Sequence, residues 1–454
     1  MVGLLTDILC GYQNPGNLPP DREQCKFDPT NNAFVIIGVH TTLMGVLSCL
    51  TAAWWGSLSD RHGRTRVIAL CGLPFIDVAW LVLALCRSWV PLGHYLVAVG
   101  YVAQGLVGGT TALMAVMLAY IADCTDATSR TVMFSVFLGA SYGGGTVGGP
   151  LGRSLVRLVH QPSTVFALSA FVQVCLSACS WSLIPESVPP EQLAEEQRRH
   201  AEARVGRRRR GAMGVVDVMS DVVRPLGVVC PERDRQASGR WSLTLLAVAI
   251  GSFNVIASHS PYIALYSSRL HLPFNAFVDA MRFTVLARNI YLAICFPLII
   301  TALSRTSRLT SAPATVGASF TLNRTLAHVS AAFSAGIFAV FPLMTSVGGV
   351  AAVMVAGALG AGFNPAVLGL AVDVHAARAG ARETGKVFGA LGVVRAFSAD
   401  ILGPILIAAV YTGTLSTAPA TLFVVASALM IIALIALTFV RMPEQRTRVL
   451  EDGV

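Results

Sequence analysis

The side chains best placed to do chemistry in this sequence sit inside long apolar runs. They are His40, Asp77, Gln104, Asn254, His259, Arg288, Asn289, Asn364, Arg395 and Asp400. A charged group in a bilayer span costs about 2.5–3.5 kcal/mol unless paired or wet, so each is a candidate for binding or for carrying a proton. Arg288 and Asn289 lie roughly 12 Å from the outer end of their run at 1.5 Å per residue, and Asp400 lies at a comparable depth. Arg288 and Asp400 are therefore expected to pair, as a proton-sensitive switch or as a fixed link between helices. Arg395 stands five residues before Asp400, about 140° away around an α-helix, so the two face different surroundings. His40 and His259 have the chemistry to titrate near physiological pH or to hydrogen-bond within a packed interior. Gln104, Asn254 and Asn364 are candidate hydrogen-bonders to a small molecule, and Asn364-Pro365 breaks its helix where a cavity is expected. Asp77 serves either packing or coupling. No nucleophile–base pair, no His/Cys cluster at metal spacing and no strand-borne phosphate loop occurs, so catalysis, a metal and any other cofactor are not expected.

The elements that must position these groups follow from composition. Hydrophobic residues make up 54% of the 454 and charged residues 13%. Globular domains carry about 25% charged residues, so this is a polytopic membrane protein and not a soluble enzyme. The formal charge of +9 is almost wholly arginine, since Lys26 and Lys386 are the sole lysines. The arginines cluster in loops between apolar runs, which is the positive-inside pattern of a membrane protein and not a nucleic-acid face.

Residues 1–11 are too short to span a bilayer, which takes about 20 apolar residues, and lack the basic start of a signal peptide. A polar loop covers 12–32. Apolar runs follow at about 33–55, 67–87, 93–122, 131–152 and 164–184, and then, after a polar stretch 185–240, at 241–263, 280–303, 326–345, 347–373, 386–411 and 419–440. That predicts eleven complete spans. The two sets are alike: Asp123 with Arg130 and Pro150 is matched by Asp373 with Arg382, Lys386 and Pro404, at Asp-to-Pro spacings of 27 and 31. Duplicated halves with a midplane site are a transporter pattern. If each half holds six helices, residues 1–11 read as the outer end of a first helix whose body is absent. Charge places turn 56–66, loop 122–131, the central segment, loop 304–325 and the C-terminal tail in the cytosol. The sequon Asn323-Arg324-Thr325 falls on that side and is expected to stay unmodified. Residues 190–210 predict a solvated helix whose arginine run anchors lipid headgroups.

Between the first two runs lies the charged turn Gly56-Ser-Leu-Ser-Asp60-Arg61-His62-Gly63-Arg64-Thr65-Arg66. Gly56 and Gly63 allow close backbone approach, and Asp60 either pairs with its arginines or faces a helix N-terminus. This spacing resembles the loop between the second and third helices of major facilitator superfamily transporters. The stretch from Gly143 to Gly152, with Gly145, Gly149 and Pro150, resembles the glycine/proline motif of that superfamily's antiporters; its small-xxx-small pairs suit close helix packing. Ala119 to Thr125 with Arg130, Ile184-Pro185-Glu186-Ser187, Gly385 to Gly392 and Phe439-Val-Arg441 look like fungal transporters related to tetracycline-resistance antiporters.

The resemblance implies an all-α polytopic protein, two pseudo-repeated helix bundles working by alternating access. It implies a conformational gate at Gly56, Asp60, Arg61, Gly63, Arg64, Asp123 and Arg130. One departure is Tyr101, three residues before Gln104-Gly105, where the antiporters often carry arginine, so that arginine's coupling role does not transfer. Cys10 and Cys25 bracket the first outer loop as a cysteine pair does in the relatives, and a disulfide or two free thiols both remain open. The expected organisation is a bundle at 1–184, a cytoplasmic linker at 185–240 and a bundle with a short tail at 241–454. The expected function is secondary active, proton-coupled efflux of a drug or secondary metabolite. Proton-symport uptake of a nutrient, and a non-transporting membrane sensor or decayed paralogue, are the alternatives. The expected partners are a small-molecule substrate, protons and the lipid bilayer, with no nucleic acid, in a monomer crossing the plasma or vacuolar membrane many times.

Overall fold

The computed structural model describes residues 29–85, 90–159, 161–208, 224–231, 239–256, 274–310, 316–379, 383–414, 417–418 and 420–443. His259, Cys10, Cys25 and residues 1–11 lie outside the described residues. Helix is the only regular structure among those described. Nine helical segments among them are long and apolar enough to cross a membrane, from Ile36–His62 to Thr421–Thr438. The run at 131–152 is helical as well, within the 33-residue Ala127–Val159, but its glycines and hydroxyls keep it less apolar than the nine. The run at 241–263 contributes the apolar helix Ser242–Ile256.

Several runs are interrupted, and each break has a local cause. In chain order the helices are α1 (Pro29–His62), α2 (Arg64–Cys71), α3 (Phe75–Leu85), α4 (Val90–Leu106), α5 (Gly109–Asp123), α6 (Ala127–Val159), α7 (Pro162–Ser182) and α8 (Pro190–Arg208). After them come α9 (Ser242–Ile256), α10 (Phe274–Ile290), α11 (Phe296–Thr310), α12 (Val316–Val340), α13 (Val347–Ala356), α14 (Phe363–Ala379), α15 (Thr384–Ala396), α16 (Gly403–Thr414) and α17 (Thr421–Thr438). Between α4 and α5 the chain turns on Gly108 and Gly109, at φ +85° and +57°, which side chains rarely adopt. Two of the carbonyls just before that break are taken by α1: Trp55 Nε1 donates to Leu106 O at 2.9 Å and Thr51 Oγ1 to Gly105 O at 3.0 Å. Between α13 and α14 the helix tightens over Gly357–Gly362. Asn364-Pro365 was expected to make this break, but it stands in the first turn of α14. Proline is tolerated there because the first-turn N–H has no helical partner to lose.

Two compact units emerge from the packing: residues 1–117 with 148–222, and residues 118–147 with 223–454. The segment 118–147 packs within the second unit. In the first unit α1 packs on α4, and α3 on α4 and α7. Its core centres on Trp80, stacked on Phe166 with centroids 5.9 Å apart, together with Leu83, Val97 and Tyr101. In the second unit α12 packs on α17 and α14, and α9 on α17. Ala426, Met430, Ala433 and Leu437 recur at helical spacing and are buried along one face of α17, while Ala327, Ala331 and Ala335 form a small-residue stripe on α12. Lipid tails are as apolar as leucine, so helices in a bilayer associate by close van der Waals contact, which small residues permit. Ser427 Oγ adds an interhelical bond to Ala335 O at 3.0 Å.

Candidate functional site

The charged turn is built by α1, α2 and the segment after α7. Gly63 sits at φ +100° and ψ 147°, and a Cβ there would overlap Glu186 Oε2. Glycine is therefore required twice over, by backbone conformation and by space. The vacancy lets Glu186 reach the start of α2. Its Oε1 accepts from the Arg64 N–H at 2.8 Å; its Oε2 accepts from the Thr65 N–H at 3.2 Å and Thr65 Oγ1 at 2.9 Å. A carboxylate on the first N–H groups of a helix satisfies orphan donors and faces the positive end of its dipole. Asp60 takes the other of its two expected roles and pairs with Arg64 at 2.7 Å, both nearly fully buried. Ser59 Oγ meets the same guanidinium at 2.6 Å. Arg61 turns back onto Ser57, and Gln197 Nε2 of α8 donates to Arg61 O at 2.8 Å. Gly56 O accepts from Ser59 Oγ at 2.7 Å.

A second cluster joins α6 to α12 and α14, and the end of α5 to α15, inside the second unit. Asp373, 1% exposed, accepts from Ser319 Oγ and Asn323 Nδ2, each at 3.2 Å, and lies 3.6 Å from Arg130. Asn323 in turn accepts from Thr131 Oγ1 at 2.8 Å. Asp123 Oδ1 accepts from Thr384 Oγ1 at 2.7 Å. The two pseudo-repeated aspartates therefore engage crosswise. Asp373 docks on the start of the helix that follows Asp123, and Asp123 on the start of the helix that follows Asp373. Asn323, the asparagine of the sequon, is 3% exposed.

A cavity of about 290 Å³ opens in the same unit. Its walls include three departures from the α-helix: the tightened turn Gly357–Gly362 and the wider π turns Tyr291–Cys295 and Phe397–Leu402, through Gly360, Leu292 and Ala399. π turns mark functional positions in helices, and irregular backbone at membrane depth persists where it lines a cavity. At the first π turn Phe296 N–H bonds to Tyr291 O, which takes it from Leu292 O; Ser135 Oγ donates to that carbonyl at 2.6 Å. Gly139 of α6 sits tight against the same turn, where a Cβ would come 2.9 Å from Ala293 N.

The structure brings four of the sequence candidates to this cavity: Asn254, Arg288, Asn364 and Arg395. Asn289 lies beside it and donates to Thr146 Oγ1 at 2.7 Å. The expected Arg288–Asp400 pair does not form. The Arg288 guanidinium instead stands over the Tyr142 ring at 5.3 Å, and Arg395 is the charge acting on Asp400. The 140° estimate assumed an α-helix, and the i→i+5 turn over Phe397–Leu402 carries Asp400 back toward the face of Arg395. His40, Gln104 and Asp77 belong to the first unit. His40 stacks on Tyr101 at 5.6 Å, and Gln104 Nε2 donates to Cys71 O at 3.4 Å, at the end of α2. Asp77 is held by Gln173. The packing expected at Gly145 and Gly149 is displaced to Gly139: no described residue lies within 4 Å of a Cβ at either of the later glycines.

Sequence comparison decides the family. The sequence model of the Major Facilitator Superfamily matches residues 27–399. The chain belongs to the Major Facilitator Superfamily. Among relatives of this superfamily it is 33% identical over 133 residues to the class B tetracycline resistance protein of Escherichia coli, covering 29% of this chain and 31% of that one. It is 31% identical over 143 residues to the MFS efflux pump atnC of Emericella nidulans, covering 29% and 28%. The chain thus matches about 30% of the length of these curated relatives. A crystal structure of the human organic anion transporter MFSD10 superposes with a TM-score of 0.66 at 18% identity, over 96% of this chain and 97% of that one. At that identity the likeness is one of fold. The superfamily and the apolar helices make this a multi-pass integral membrane protein.

Glu186, Thr384, Ser319 and Thr131 were not singled out from sequence as site residues. Their signal is faint because they act through hydrogen bonds to partners far along the chain.

Proposed function

We propose that this superfamily member is a proton-coupled secondary exporter of a small organic molecule, working by alternating access in the plasma or vacuolar membrane as a monomer. The cavity of about 290 Å³, walled by three interrupted helices and carrying two arginines and two asparagines, is the observation that carries the reading. Similarity to a tetracycline resistance protein and to an efflux pump supports export over uptake. In this reading the bundles are residues 1–184 and 241–454, joined by the linker 185–240. Gly56, Asp60, Arg61, Gly63 and Arg64 form one half of the gate, and the crosswise contacts of Asp123 and Arg130 form the other. The crosswise contacts suit a gate because each is made of polar groups that water can take over when the helices part.

Purified protein in liposomes with an acid interior tests the coupling. Adding tetracycline or one of the aromatic probes below outside is expected, for at least one of them, to speed collapse of the pH gradient several-fold over empty liposomes. Collapse at the empty-liposome rate, for tetracycline and for the aromatic probes below, would count against proton coupling.

A further inference from the structure

We propose that the cavity of the second unit takes an organic anion with a flat aromatic body of one or two rings. This assignment rests on the transport reading, because it names the class of cargo for the same site.

Charge sets the sign. Arg288 and Arg395 line the cavity, and among the described residues no aspartate or glutamate does. Arg395 has an opposite charge in Asp400, which follows the lining residue Ala399. Arg288 pairs with no carboxylate among the described residues, and its Nε is buried without a hydrogen-bond partner. An uncompensated cation inside a membrane span is costly, and a bound carboxylate or sulfonate supplies both the counter-charge and the missing acceptors. The guanidinium fork suits such groups bidentately. Tyr142 holds the arginine in place from one face at 5.3 Å and leaves its N–H edges to donate.

The apolar walls set the shape. Phe253 is fixed by stacking on Phe363 with centroids 4.9 Å apart, and offers a ring surface to the cavity. A volume of about 290 Å³ is at the small end of ligand sites and matches one or two fused rings. Asn254 spends one N–H on Ile250 O at 2.8 Å, and its oxygen is placed to accept from a hydroxyl or amide of the guest.

The test is a charge series of one shape: 2-naphthoate, 2-naphthamide and 2-naphthylmethylammonium, titrated calorimetrically into the full chain in lipid nanodiscs. Wild type is expected to bind the carboxylate at least about tenfold more tightly than the amide, with the ammonium weakest. Arg288→Gln is expected to reduce that preference to under about threefold, Arg288→Lys to keep part of it, and Arg395→Gln to weaken it less than Arg288→Gln. The wild-type series stands by itself if a variant fails to fold. Equal affinity for all three probes, preference for the ammonium, no saturable carboxylate binding, or an unchanged preference in folded Arg288→Gln would each overturn the assignment. Selective anion binding without any flux would instead refute transport and leave the anion site standing. Flux carried by cations alone would refute the anion site and leave transport standing.

Discussion

Replacing Asp373 with alanine is expected to cost about 3 kcal/mol of stability and to reduce transport to background. The carboxylate is 1% exposed and accepts from Ser319 and Asn323 while facing Arg130. Removing one partner of a buried pair costs about 3–5 kcal/mol, and Arg130, at 13% exposure and bonded also to Thr125 O, retains enough support to place the loss at the low end. Ser319 falls back on Ala127 O at 2.9 Å, but the Asn323 amide loses one of its acceptors in a water-poor site. Asp373→Asn keeps the size and one acceptor and should lose less stability than alanine. Thermal unfolding of the detergent-solubilised protein, read beside flux, separates the two variants. An alanine variant that melts with wild type would show that the cluster holds nothing together.

Gly63→Ala is expected to leave the protein in the membrane and slow transport by about tenfold or more. The backbone at φ +100° costs a side chain about 1–3 kcal/mol, and the added methyl displaces Glu186 from the start of α2. Without Glu186 the Arg64 and Thr65 N–H groups lose their acceptor, and the tie between the turn and the segment after α7 is gone. Glu186→Ala removes the same tie without strain. The double variant is therefore expected to lose less than the sum of the two singles, because both break one interaction. Initial flux per molecule of membrane-inserted protein measures this. Strict additivity would mean that Gly63 and Glu186 act separately.

The sequence carried the long-range plan of this protein more legibly than its contacts. Bilayer-length apolar runs and arginine-rich loops are properties of twenty-residue stretches, so they survive averaging and announce a polytopic membrane protein. Intramembrane polarity likewise marked Asn254, Arg288, Asn364 and Arg395, because a polar residue in an apolar run has few cheap explanations. Pairing was less legible. Arg288 and Asp400 matched in depth and sign, yet a π turn, which leaves no sequence signature, changed the facing of Asp400. The repeat of Asp123 by Asp373 was visible, but their crosswise docking depends on hydroxyl and amide partners up to 261 residues away. Glu186 illustrates the same limit: its motif was visible, but the space it fills exists only because Gly63 has no side chain.

The measurement that tests the central claim most directly is entrance counterflow. Liposomes holding the purified protein are loaded with unlabelled tetracycline, and in parallel with the tightest-binding probe of the charge series, then diluted into a trace of the labelled compound. A carrier with one alternately exposed site gives a transient internal accumulation of label above equilibrium without any imposed gradient. That overshoot is expected for at least one of the two compounds, and its loss is expected in Gly63→Ala. Label that only equilibrates at the rate of protein-free liposomes, for both compounds and with the protein correctly folded, would contradict it.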